Sequence, residues 1–247
     1  MYLKTQGLVL RITDYNDTDA FLTILTRDYG KLTVKARGLR RKRSPLIAAC
    51  QLLSYGEFTL FEYRGAYVIN EASVVEAFRN LRADLEKLSM GSYFAQAAEL
   101  ISQEDCPSPE LLSLVLNSLY ALDKLKLSEV LVKFVFELRA ACIAGYTPDL
   151  SGCYICGNPE PDLFDVFTGR LKCSGCAGVD AAGLMLPITP GMLAAMRYVI
   201  HCDEKKLYQF EISQESAVRL ACLTESFFTA QLEHSFSALD FYKSLLI

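Results

Sequence analysis

Two short motifs, Cys153-Tyr154-Ile155-Cys156 and Cys173-Ser174-Gly175-Cys176, restrict the fold of this chain more than any other feature. Each places two thiols on one tight turn, and sixteen residues separate the two turns. A segment that short cannot build a core by burial alone, so a cross-link or a metal must hold it. Four thiolates complete a tetrahedron around zinc, and paired knuckles at this spacing are a strong signal for that ion. Gly157 and Gly175 offer the backbone freedom that each turn needs. Between the knuckles, residues 163–167 and 170–172 flank Thr168-Gly169 and predict a short hairpin. The expectation is a zinc ribbon inserted at residues 150–180, with one structural Zn2+ on Cys153, Cys156, Cys173 and Cys176. Two disulfides are the alternative, but nine cysteines form no closed disulfide framework.

The sequence around this insertion reads as helix. Apolar residues recur at helical spacing from Val74 through Phe78, Leu81, Leu85 and Leu88. Ser108-Pro109, Ser128-Glu129, Thr189-Pro190 and Ser213 each mark a helix start, and Gly145 with Pro148 marks a stop. Residues 239–246 close the chain with one more helix. Cys142 and Cys222, among helical apolar residues, are expected in the core, whereas Cys50, Cys106 and Cys202 lack partners at ligand spacing.

Before Val74 the period is two. Residues 3–13, 20–26, 31–37, 55–63 and 66–70 read as strands, with turns at 14–17, 28–31 and Arg64-Gly65. Five short strands with small turns in this span predict a barrel of the OB type, which binds oligonucleotides through a positive groove and aromatic stacking. Tyr29, Tyr55, Phe58, Phe61, Tyr63 and Tyr67 are the available aromatics. The fold class is therefore α+β and multidomain: residues 1–76 as an OB barrel and 77–247 as a helical domain carrying the ribbon.

One stretch sits oddly in a chain whose formal charge is −4. Lys35, Arg37, Arg40, Arg41, Lys42 and Arg43 put six cations into nine positions. The strand pattern of 31–37 breaks at Gly38, so residues 40–43 are expected as a mobile basic loop at the strand's end. Such groups suit the phosphates of a polyanion, and counterion release supplies affinity. A solvated charge run that merely blunts a sheet edge is the plainer reading. Residues 1–80 hold 12 Lys and Arg against 8 Asp and Glu, a net of +4, while the remainder holds 13 against 21, a net of −8. The polyanion is thus expected at the front.

Other chemistries find little support. No apolar run reaches the roughly 20 residues of a membrane span, and the start lacks a signal-peptide core, so a cytoplasmic protein is expected. There is no Walker A lysine motif, no GxGxxG and no GxSxG. The histidines, His201 and His234, lie near neither knuckle, and Asp14, Asp17 and Asp19 read as turn residues. No catalytic constellation emerges.

Taken together, these residues resemble the RecO family of bacterial recombination mediators. The likeness is carried by Gly7-Leu8-Val9-Leu10-Arg11 with Thr18-Asp19, and by residues 25–32 with Ala36-Arg37-Gly38-Leu39-Arg40-Arg41. Gly145-Tyr146-Thr147-Pro148-Asp149-Leu150, running into Cys153 and Cys156, and the second knuckle complete it. Tyr15-Asn16-Asp17 and Leu52-Leu53 depart from the family's usual Tyr-Gly-Glu and Gln-Pro. The resemblance implies a non-enzymatic DNA-binding mediator acting on single- and double-stranded DNA. It further implies annealing of strands coated by single-strand-binding protein, whose C-terminal tail would dock on the helical domain. RecR would be a partner, and the RecA recombinase would be loaded indirectly. A zinc-stabilised adaptor whose basic loop grips an acidic partner is the rival reading; an undetected nuclease or RNA-modifying enzyme is a third.

Overall fold

The computed structural model describes residues 1–125, 127–176 and 183–246. Along the chain run β1 (Tyr2–Asp14), β2 (Ala20–Thr26), β3 (Gly30–Ala36), β4 (Tyr55–Tyr63), β5 (Ala66–Glu76), α1 (Arg79–Arg82), α2 (Leu85–Ile101), α3 (Pro109–Lys124) and α4 (Glu129–Ile143). There follow β6 (Asp149–Cys153), β7 (Leu163–Asp165), β8 (Arg170–Lys172), β9 (Met185–Pro187), α5 (Pro190–His201), α6 (Gln214–Leu232) and α7 (Ser237–Leu245). Residues 177–180, the end of the expected insertion, lie outside the described residues. These elements group into two compact units, Met1–Lys126 with Phe236–Ile247, and Leu127–Ser235. No described helix is long and apolar enough to cross a membrane.

In the first unit the five strands close into an OB-like barrel in the order β1-β2-β3-β5-β4. Neighbours are antiparallel except β3 and β5, which run parallel with Val34 opposite Tyr67 and Lys35 opposite Val68. The period-two pattern does what it predicts: β3 buries Leu32, Val34 and Ala36 and exposes Thr33. Val9, Leu22, Ile24, Phe58, Leu60 and Ile69 fill the interior beside them. Leu39, Leu46 and Cys50, from the long connection between β3 and β4, enter the same core. Burial pushes the Cys50 thiol up to about 12, so it packs as a small apolar group. A bulge at Leu10, where Val9 faces Ile24 but Arg11 faces Thr23, adds the bend that closure requires.

One boundary differs from the sequence expectation. Val74 and Val75 do not begin a helix; β5 continues to Glu76, with Val74 opposite Gly56 and Glu76 opposite Tyr55. Both valines are exposed. Their β-branched side chains suit a strand, and two adjacent apolar residues cannot by themselves establish a helical period.

The helices of this unit start on local signals. The Asp84 side chain accepts from the Glu86 and Lys87 N–H groups and caps α2. Pro109 stands in the first turn of α3 as expected, yet the Ser108 hydroxyl makes no capping bond. Tyr93 of α2 is fully buried and meets Phe236 edge-on, with ring centres 5.1 Å apart.

The second unit pairs α4 with α6 around a buried ion cluster. Lys133 Nζ lies 2.9 Å from Glu137 and 2.9 Å from Glu225, and donates to the Ala221 carbonyl at 2.9 Å. The Thr224 hydroxyl donates to Glu137 at 2.7 Å. Burial by itself lowers the lysine's pKa, but the two carboxylates outweigh it and hold the pKa above the ordinary value. Ser128, Thr189 and Ser213 cap α4, α5 and α6 through their side chains, as their positions predict. Cys142 is half-buried, but Cys222 faces outward on α6, against the expectation of a core position.

Gly30 carries a test of the first unit. Its φ is +68°, and the α2–α3 connection runs beside it through Lys31 N–H to Gln103 and Asp105 N–H to Lys31. A Cβ at this position would collide with the Cys106 backbone. Gly30→Ala is expected to destabilise the protein by about 2 kcal/mol or more in a denaturant titration.

Candidate nucleic-acid interface and metal centre

The basic segment is not a free loop. Gly38, at φ +66°, turns the chain off β3, and its N–H donates to Asp19 Oδ1 at 2.9 Å. Asp19 Oδ2 lies 3.3 Å from Lys35 Nζ. Next, the Arg40 N–H donates to the Thr18 carbonyl at 3.0 Å, and the Arg40 guanidinium lies 3.2 Å from Asp14 and donates to the Asn16 carbonyl. The Arg41 and Ser44 N–H groups reach back to the Gly38 and Arg41 carbonyls. Where the sequence predicts a mobile loop, the structure has consecutive turns tied to the β1–β2 turn. Asn16 rigidifies that turn by accepting the Thr18 and Asp19 N–H groups at 2.9 and 2.7 Å.

Asp19 is the hub. The Gly38 N–H lowers its pKa most; burial opposes, and Lys35, Thr18 and Asn16 add to the lowering, leaving it at about 2. Lys35 also stands 4.5 Å above the centre of the Tyr15 ring. Two of the six candidate cations, Lys35 and Arg40, therefore have carboxylate partners in the fold. Arg37, Arg41, Lys42 and Arg43 are exposed and, among the described residues, form no ion pair. Lys35 and Arg37 also line a groove of about 790 Å³ on the barrel, together with Tyr2, Phe61, Tyr63 and Tyr67. Phe61, Tyr63 and Tyr67 were among the sequence candidates. Tyr2 was not, because only the β1–β4 register reveals that it lies opposite Phe61.

In the second unit β6, β8, β7 and β9 form a four-stranded sheet in that order. The expected hairpin is β7 and β8, with Phe164 opposite Leu171; β6 and β9 extend it. The four knuckle sulfurs all lie within 4.8 Å of one another. Cys156 Sγ and Cys173 Sγ are 3.8 Å apart. A tetrahedral ion with metal–sulfur bonds of about 2.3 Å has edges of roughly 3.8 Å, whereas a disulfide needs about 2.0 Å. The geometry thus fits a metal ion and not two disulfides. Gly157 uses a positive φ of 72°, as its turn demands, but Gly175 does not.

Surrounding groups hold the ligands in place. The Cys173 N–H points at Cys153 Sγ at 3.4 Å, and Asn158 Nδ2 donates to Cys173 Sγ at 3.3 Å. Asp162 receives the Ser174 N–H at 2.6 Å. Arg197 of α5 donates to the Leu150 carbonyl at 2.9 and 2.7 Å and to the Pro159 carbonyl at 3.1 Å, pinning both sides of the first knuckle. Burial raises the Cys153 thiol, yet N–H groups of Cys156, Ile155 and Cys173 hold it at about 6. Cys176 is pushed up to about 12, chiefly by its bond with Cys156. Four crowded sulfurs must share protons unless a cation replaces them, and that is what this donor set is built to accept.

Two measurements follow from this geometry. The Asp19 carboxyl resonance should titrate near pH 2, below an ordinary aspartate. Its contribution to anchoring residues 38–41 should be complete above about pH 4 and lost as pH falls toward 2. Elemental analysis should find one metal per chain. Cys173→Ser with Cys176→Ser should abolish it and speed amide exchange across residues 149–172 while leaving α4 and α6 protected.

Comparison with known proteins agrees along the whole chain. The family model described as Recombination protein O N terminal matches residues 1–78, and that described as Recombination protein O C terminal matches residues 82–240. A protein named DNA repair protein RecO from Acetivibrio thermocellus is 34% identical over 99% of this chain and 97% of its own length. Those of Alkaliphilus metalliredigens, 29% identical over 99% and 100%, and Bacillus subtilis, 28% over 89% and 86%, are similar too. With both family models matched in order, and with barrel, helices and cysteine cluster in place, this chain belongs to the RecO family.

Proposed function

We propose that this protein is a non-enzymatic DNA-binding mediator of recombinational repair in the bacterial cytoplasm. It anneals complementary single strands and, with RecR, helps the RecA recombinase onto DNA coated by single-strand-binding protein. The observation that carries this reading is the run of exposed cations Arg37, Arg41, Lys42 and Arg43, of which Arg37 lines the barrel groove. Family membership and the relatives' name, DNA repair protein, support it.

The chemistry needs no bond-breaking step. Two phosphate backbones repel each other, and a surface that neutralises both lets complementary bases meet. Arg37, Arg41, Lys42 and Arg43 are free to exchange counterions for phosphates. Lys35 and Arg40 add their charges from positions fixed by Asp19 and Asp14. In this division of labour residues 1–76 are the DNA-binding domain. Residues 77–247 form the helical domain, which receives the C-terminal tail of the single-strand-binding protein. The metal of Cys153, Cys156, Cys173 and Cys176 is zinc: four sulfur ligands, small tetrahedral geometry and no redox requirement favour it. With all four positions taken by cysteine, the ion would supply rigidity to the ribbon and would hold no catalytic water.

Four cations on a single strand give a slope of log K against log salt near about −3. Arg37→Ala with Arg41→Ala and Arg43→Ala should bring that slope to about −1 and lower the affinity, measured by anisotropy of a labelled oligonucleotide. The decisive assay mixes complementary strands coated with single-strand-binding protein, with and without magnesium. Faster annealing with intact strands is the expected result. Cleavage would make the protein a nuclease, and neither annealing nor cleavage would leave an adaptor.

A further inference from the structure

Three large aromatic side chains stand exposed on the barrel beside the cations. Tyr2 is 63% exposed, Tyr63 58% and Phe61 39%. All three line the same groove as Lys35 and Arg37. Tyr2 faces Phe61 across the β1–β4 pair, and the two rings are tilted by 55° with centres 5.2 Å apart. The Arg64 guanidinium lies 5.1 Å from the centre of the Tyr63 ring and steadies it from one side. Aromatic surface held out in water beside positive charge is costly for a structural role and suited to a planar, negatively tethered ligand.

We infer that this groove is a single-strand subsite, in which Phe61 and Tyr63, with Tyr2 beside Phe61, stack unpaired nucleobases while Lys35 and Arg37 meet the adjoining phosphates. The inference rests on the DNA-binding reading above and deepens it by naming the rings that select an unpaired strand. Phe61 and Tyr63 lie two residues apart on β4, so they share a face and stand about 7 Å apart along it. Bases in a duplex follow one another at about 3.4 Å and hide their faces in the stack. Rings spaced at twice that distance therefore take the bases of an extended strand and reject a helix. Stacking engages the faces of a base and leaves its pairing edge free. A strand held in this way remains legible to its complement, as annealing requires.

The chain contains no tryptophan, which gives the test a clean reporter. Tyr63→Trp keeps an aromatic platform, and its lone indole should be quenched by a thymine homopolymer but not by an abasic strand of equal length. Phe61→Ala with Tyr63→Ala should weaken binding of the normal strand roughly tenfold or more per ring, leaving binding of the abasic strand and of duplex unchanged. Circular dichroism of both variants checks the barrel. Unquenched indole, or equal losses on normal and abasic strands, overturns the stacking subsite while the cationic edge stands. Wild-type protein that binds no strand at all overturns the DNA-binding reading itself, and the subsite with it.

Discussion

The Asp19 carboxylate fixes where the charge of this protein sits. One oxygen takes the Gly38 N–H and the other meets Lys35, so the turn between β1 and β2 and the departure of the chain from β3 are fastened to one group. Without that fastening, residues 40–43 would sample more positions, and any ligand of the basic segment would first have to order them. With it, the backbone of residues 38–41 is held against the β1–β2 turn once the barrel folds. The cost is that Lys35 and Arg40 are partly neutralised by Asp19 and Asp14. Two cations hold the scaffold and four face solvent, which is a more economical arrangement than six equivalent charges.

Much of this was legible in the residues, and the limits have physical causes. Period-two alternation located four strands closely, and Gly30 announced its hairpin by needing a positive φ. The two knuckles announced their tetrahedron because four sulfurs at that spacing have few other uses. What failed was local ambiguity. Val74-Val75 fits the end of a strand as well as the start of a helix, and only the register opposite Gly56 decides. Cys222 looked internal by its neighbours, but the rotation of α6 is set by what it packs against, which no window of sequence contains. Likewise, a run of arginines carries no mark of which carboxylate will claim one of them; Asp14 and Arg40 are 26 positions apart.

The candidate sites also differ in kind. The cysteine cluster is made of short-range contacts, within a hairpin and two turns, and its ligands are adjacent in sequence pairs. Its chemistry could be named before its fold. The barrel groove is assembled from all five strands of the barrel, so its aromatic members gain meaning from pairing. Tyr2 near the start of the chain is the clearest case: in sequence it is an unremarkable tyrosine, and opposite Phe61 it becomes part of a platform.

The ion cluster at Lys133 has a consequence for the ribbon carried by the same unit. Sliding α4 by one turn against α6 would strand an ammonium or a carboxylate in an apolar interior, a penalty far larger than the loss of a few methyl contacts. The two helices therefore recognise each other like a keyed plug, whatever lies between them in the chain. Residues 149–172 leave after one half of that plug and rejoin the chain ahead of the other. The ribbon is built onto one face of that keyed pair: Phe164 meets Phe227 of α6 edge-on at 5.5 Å, and Gln231 of α6 donates to the Phe167 carbonyl at 2.8 Å, so the register that the ion cluster sets is also the floor on which the ribbon stands.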